Sequence, residues 1–494
     1  MIDDAGDAVV PAPRRWRLRT IDPFLAVALV AFAIVRLTSV ARTTPAVFPD
    51  SSGYRSGFRD FTLVSLTGGQ PRPWGITAFM ALWPGLDSLT FAQAVLGVVA
   101  WSFLAVEVWL LLSRTLWRRV AVVLVLLLGL VPAVVGWDAA VLSESLSIST
   151  GILSLAALLR AIRRPSGWSI ALLVGLSLWF TMTRPLTLIV VLAWGGVALV
   201  LAAISPRARV AWLLGAVLLI AEAGYSYAYN QATDNAWVAV SGHSRTTAAY
   251  AYNIGFNPVG DDVLVSVRAS DAPRCMIPAA QADVARHGTT VWVNKTVAEC
   301  PQMETWATAN WGSWWRRWLV QHPHQAAAIV RSQMSGALAT PVYAHVPKVL
   351  PTSVQSLFIV GGPVLPARVA KTQSFVVLVP LLWFGAALVL LLLGWRRVGW
   401  RSRSAEFALW VTAGASLLSV VVGVLLLQTP PGESGREHAA PRIMLAATGV
   451  ILVMLGADRL SARGTSDPVV DTSGDAAAAE PTYGEEEGNA RATV

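Results

Sequence analysis

The chain has 494 residues, of which 55% are hydrophobic and only 14% charged, and its mean hydropathy is +0.56. A soluble fold of this length does not need so much apolar surface, so the composition excludes an ordinary soluble protein and indicates a membrane protein. The formal net charge of +9 does not indicate nucleic-acid binding, because the basic residues come in short bursts between apolar runs instead of gathering on one polar domain.

In chain order, a basic arm over 1–20 with Arg14, Arg15, Arg17 and Arg19 leads into an apolar run from about Pro23 to Val40. No small-residue cleavage site follows, so the run reads as a retained span and not a signal peptide. Further runs near 88–112, 120–136, 143–159, 168–183, 186–204 and 210–229 complete a seven-helix core over 21–229. Three more, near 374–394, 405–427 and 442–457, make a C-terminal group over 373–460. The predicted fold class is an all-α polytopic membrane protein of about ten transmembrane helices. It carries a first outer loop over 41–87 and a mixed extracytoplasmic insertion over 230–372. The segment 461–494, rich in Ala, Gly, Asp and Glu, is expected to be a disordered tail.

Arginine clusters occupy alternate connections, which orients the chain in a plasma membrane with both termini cytoplasmic. Alternation then puts the insertion and the candidate chemistry outside. Within the first outer loop, Pro71-Arg72-Pro73-Trp74-Gly75 precedes an apolar stretch too short to span, expected to lie in or re-enter the membrane surface. Trp306, Trp311, Trp314, Trp315 and Trp318 read as the aromatic anchors of an interfacial helix, and Tyr225, Tyr227 and Tyr229 as belt residues. Cys275 and Cys300, both in the insertion, predict a single disulfide in an oxidising compartment.

Five places could carry chemistry. Asp50, in Phe48-Pro49-Asp50-Ser51-Ser52-Gly53-Tyr54, is either a turn or cap residue or a general base at the membrane surface, with Tyr54 one turn later to orient it. Arg72 is a candidate substrate contact. Asp138 and Ser143-Glu144 lie at the mouth of the fourth span. There Ser143 and Glu144 make an ordinary helix start, or Glu144 binds a sugar hydroxyl, or it holds a divalent metal with Asp50 or Asp138. Arg184 stands between two apolar runs, where its fork suits a phosphate or snorkels. Arg436-Glu437-His438 and Arg442 form a second cationic cluster. The chain has no Gly-rich phosphate loop, no His-Glu-x-x-His and no nucleophile elbow.

The first span followed by Asp50-Ser51-Ser52-Gly53-Tyr54, then Arg72-Pro73-Trp74-Gly75 and Ser143-Glu144-Ser145-Leu146, resembles the GT-C superfamily of polytopic glycosyltransferases over roughly residues 20–230. The resemblance implies an inverting transfer from a polyprenyl-phosphate sugar donor to a cell-envelope glycan or glycolipid acceptor, with Asp50 as base. Tyr54, Arg72, Asp138 and Glu144 would then contact substrate, and Arg184, Arg436, His438 and Arg442 the donor phosphate. Two departures stand out: serine follows Asp50 where many members have a second acid, and Gly75-Ile76-Thr77 replaces the usual Gly-Tyr-Pro. Sugar and metal dependence stay open. The Ala/Arg/Val/Trp-rich usage fits a high-GC actinobacterium and an arabinan or mannan acceptor. The alternatives are a lipid-linked oligosaccharide polymerase or ligase, a transporter or flippase, and a non-catalytic scaffold. A transporter is disfavoured by the lack of internal repeats and by charges collected at one face.

Overall fold

The computed structural model describes residues 22–56, 62–70, 72–241, 260–275, 300–338, 383–390, 400–426 and 438–461, with 278 and 392. Among them the regular structure is helical throughout, apart from one isolated bridge between Ala46 and Ala140. In order, the helices are α1 Pro23–Ala41, α2 Pro49–Ser56, α3 Leu63–Leu66, α4 Trp74–Ala81, α5 Leu86–Leu111, α6 Thr115–Leu130 and α7 Pro132–Val135. Then come α8 Glu144–Arg163, α9 Gly167–Thr181, α10 Leu188–Ile204, α11 Arg209–Ser241, α12 Gly260–Arg268 and α13 Gln302–Trp306. The last four are α14 Gly312–Gln321, α15 Pro323–Leu338, α16 Trp400–Leu426 and α17 Ala439–Ser461.

Among the described residues, seven helices are long and apolar enough to cross a membrane, in α1, α5, α8, α10, α11, α16 and α17. The pair Thr115–Leu130 and Pro132–Ala139, bent by 53°, makes up to eight. Pro132 explains the bend, since it removes a backbone donor and its ring clashes with the preceding turn. The expected ten spans are therefore not reproduced among the described residues. Gly167–Thr181 is helical but only 15 residues long, and most of the expected 374–394 span lies outside the described residues.

The spans bury themselves unequally, and the difference locates the centre of the bundle. In α8, 94% of the most apolar window is buried, against 22% in α1. A helix covered on all sides must be central, and α8 packs on α5, α9 and α17. Its small polar residues permit that close approach. Thr150 Oγ1 donates to Leu146 O at 2.8 Å and Ser154 Oγ to Thr150 O at 2.8 Å, so these hydroxyls cost little when buried. Glu144 in the first turn and Arg160 and Arg163 in the last complement the helix dipole.

A second core gathers the insertion. Trp306, Trp311, Trp315 and Trp318 are buried against Val263, Val267, Val420 and Val424. Their indoles are satisfied internally: Trp315 Nε1 donates to Leu425 O at 2.9 Å and Trp318 Nε1 to Ser266 Oγ at 3.0 Å. This corrects the expectation of membrane-anchoring tryptophans, because the rings stack on each other and clamp the insertion onto α16. The insertion's described residues are helical and hold no strand, so its expected mixed character is not seen there. Cys275 and Cys300 are joined in a disulfide, with Cα atoms 5.6 Å apart. Residues 1–21 and 462–494, the expected arm and tail, lie outside the described residues.

Candidate functional site

The ion pairs of the described residues sort to the two ends of the bundle. At one end, Glu107 pairs with Arg163 at 2.7 Å and Arg160 at 3.5 Å, and Arg459 with Glu406 at 2.7 Å. Asp458 there caps the α5–α6 turn by accepting from Ser113 N and Arg114 N, each at 2.9 Å. All the described candidate residues gather at the other end.

The first loop is stitched to the turn before α8. Ala46 N–H donates to Ala139 O at 2.8 Å and Val141 N–H to Ala46 O at 2.9 Å. Ser51 Oγ, itself bonded by Phe48 N–H at 2.9 Å, donates to Val141 O at 2.7 Å. These contacts fix α2, and with it Asp50 in its first turn. Asp50 Oδ1 meets Arg72 Nη2 at 3.0 Å, with 30% of the Asp50 side chain and 17% of the Arg72 side chain still exposed. Arg72 lies over the Tyr54 ring at 4.6 Å, a cation–π contact.

From Tyr54 the contacts run inward. The Tyr54 hydroxyl is 3.3 Å from Ser143 Oγ, which donates to Glu144 Oε2 at 3.4 Å. Glu144 Oε1 pairs with Arg184 Nη2 at 2.8 Å, and both side chains are buried. Ser143 stands at the N-cap of α8 with Glu144 in the first turn, as the helix-start reading expects, but its side chain makes no cap bond. Asp50, Arg72, Tyr54, Ser143, Glu144 and Arg184 thus form one connected row from solvent to the interior.

Gly75 lets α4 support this row. A Cβ there would fall 2.6 Å from Met182 O, so only glycine permits α4 to touch the end of α9 beside Arg184. Trp179 Nε1 donates to Gly75 O at 3.0 Å across the same contact. Helix α4 is accordingly buried over Gly75, Ile76, Thr77, Ala78 and Met80. Tyr229 OH donates to Ser65 O at 3.1 Å, and Tyr227 is 58% exposed, so only the latter is placed as a belt residue would be.

The second expected cationic cluster reaches the same neighbourhood. The His438 ring and the Leu186 side chain both press on Gly423, just past Arg184-Pro185. Arg442, one turn further along α17, is buried and donates from Nη1 to Ala337 O at 3.3 Å. Arg436 lies outside the described residues. An open cleft of about 360 Å³ lies apart from the row on this end, between α1 and α5, lined by Val40, Thr43, Asp87, Thr90 and Phe91.

Asp138 does not join the row. Its carboxylate takes Arg36 Nε at 2.8 Å and Nη2 at 3.1 Å, and Ser145 Oγ at 2.6 Å, with both side chains almost wholly buried. Arg36 Nη1 also donates to Gly129 O at 2.8 Å. This corrects the substrate-contact expectation for Asp138, whose acceptor capacity is spent inside the protein. Arg36 was missed by sequence reasoning, although an arginine inside an apolar run demands an acidic partner.

A divalent ion does not fit the acids expected to bind it. Asp50, Asp138 and Glu144 each face an arginine, and no group of three His, Cys, Asp or Glu side chains converges among the described residues. No family model matches the chain, and no curated protein matches it.

Proposed function

We propose that the chain is an extracytoplasmic glycosyltransferase of the plasma membrane that moves a sugar from a polyprenyl-phosphate donor to a glycan or glycolipid acceptor with inversion. The observation that carries this reading is the row from partly exposed Asp50 through Arg72 and Tyr54 to the buried Glu144–Arg184 pair. It combines a partly exposed carboxylate, held by Arg72, with guanidinium groups suited to a phosphate ester.

In this reading the acceptor hydroxyl gives its proton to Asp50 as its oxygen bonds to the anomeric carbon. The bond from that carbon to the carrier phosphate breaks on the opposite side, and the electron pair leaves with the phosphate. Arg72 moves from Asp50 to the donor phosphate as substrate enters, which frees the carboxylate and neutralises the leaving charge. Arg184, held by Glu144, supplies a second fixed positive charge, and Tyr54 orients Arg72 by its ring face.

The test is turnover by purified protein in lipid nanodiscs, with a panel of polyprenyl-phosphate and polyprenyl-diphosphate sugars. Transfer from a monophosphate donor is expected. Transfer only from diphosphate donors would favour a polymerase or ligase, and no transfer from any donor would refute the reading.

A further inference from the structure

Helix α11 carries a carboxylate that the candidate site does not use. Glu222 is 7% exposed, and its Oε2 has no hydrogen-bond partner. At 1.5 Å per residue it lies roughly 16 Å below Thr233, the end of the span, and so deep within the apolar thickness. The packing of α11 on α9 sets its surroundings. Gly215 lies against Ile170, and Ser226 Oγ donates to Thr181 O at 3.3 Å. Both pairs share one sequence offset, so the two helices run parallel and Ser177 stands abreast of Glu222. Ser177 is fully buried and its Oγ also lacks a partner. Toward the end that holds the candidate site, Asn230 Nδ2 donates to Ser226 O at 2.7 Å while its buried Oδ1 is unbonded.

Glu222, Ser226 and Asn230 recur at every fourth residue, so they share one face of α11. Three buried oxygens without partners therefore line one seam: Glu222 Oε2, Ser177 Oγ and Asn230 Oδ1. Native proteins rarely leave such groups unsatisfied, and where side chains cannot reach them internal water does. Neither α9 nor α10, the helices packed on α11, carries a charged residue that could serve instead.

We propose that the seam between α9 and α11 binds a file of internal water molecules, linking Glu222 at mid-membrane to the polar end beside Arg72 and Arg184. The ligand is water, and the file gives Glu222 a path for proton exchange with that end. The inference stands apart from the proposed sugar transfer.

The chain suits a direct test, because its only two cysteines are bonded to each other. The ionised thiol, which forms where water reaches, attacks the sulfenyl sulfur of a methanethiosulfonate reagent and expels methanesulfinate, leaving a mixed disulfide. Single variants Asn230→Cys, Ser177→Cys, Glu222→Cys and Leu173→Cys in the full chain in nanodiscs are treated with a small hydrophilic reagent, and adducts are read by mass spectrometry. Asn230→Cys, Ser177→Cys and Glu222→Cys are expected to label, whereas buried Leu173→Cys, one turn deeper on α9, is not. If Ser177→Cys does not elute as a single species, Glu222→Cys decides the outcome. Labelling of Asn230→Cys with none at Ser177→Cys or Glu222→Cys would overturn the proposal, and so would equal labelling of Leu173→Cys.

Discussion

Replacing Asp138 with asparagine probes the contact that anchors the turn before α8. The Asp138 carboxylate receives two guanidinium bonds from Arg36 and one from Ser145, at 0% side-chain exposure. Asparagine keeps one acceptor oxygen but removes the charge, leaving a buried guanidinium with Gly129 O as its remaining bond to oxygen outside the pair. Breaking a buried pair from one side costs about 3–5 kcal/mol, and the retained oxygen puts Asp138→Asn at the lower end, about 3 kcal/mol. The double variant Arg36→Met with Asp138→Leu removes both charges, so it should lose less than the two single losses added together, by about 2 kcal/mol. Thermal unfolding in detergent, followed by tryptophan fluorescence, measures wild type, Asp138→Asn, the single variants Arg36→Met and Asp138→Leu, and the double variant. A loss for Asp138→Asn below about 0.5 kcal/mol would refute the structural assignment, because substitutions away from such features fall in that range.

Gly75→Ala places a methyl 2.6 Å from Met182 O and should destabilise by about 1–3 kcal/mol in the same melting assay, as overpacking does. Glu144→Gln and Arg184→Gln each leave a buried partner charge, so each should cost about 3 kcal/mol while the double variant costs less than their sum. Trp315→Phe removes the donor to Leu425 O and should cost about 1 kcal/mol, with a changed near-ultraviolet dichroism signal from the stacked indoles.

Hydropathy made the long spans legible, and alternate arginine clusters made it legible that Asp50, Glu144, Arg184 and His438 share one end. Both signals are local to a segment. What stayed hidden depends on pairing across the chain. Arg36 and Asp138 lie 102 residues apart, and each looked explicable alone, one as part of a span and the other as a substrate contact. Two opposite charges in apolar surroundings are a readable hint, since burying either unpaired is costly. The tryptophans of the insertion misled because anchoring and packing use the same residues at the same helical spacing. Burial against Val420 and Val424 of α16 separates the two, and no local pattern encodes that contact. Span number erred at Gly167–Thr181, where the apolar run extends past the helix into Met182-Thr183 and the Arg184 turn.

In the proposed transfer, Asp50 is the group that receives the acceptor proton. The most direct measurement is single-turnover sugar transfer from a polyprenyl-phosphate donor by wild type and Asp50→Asn, with substrate affinities measured alongside. The account predicts a rate lower by about 100-fold or more with donor affinity retained, the size expected when a general base is lost. An Asp50→Asn rate near that of wild type would contradict it.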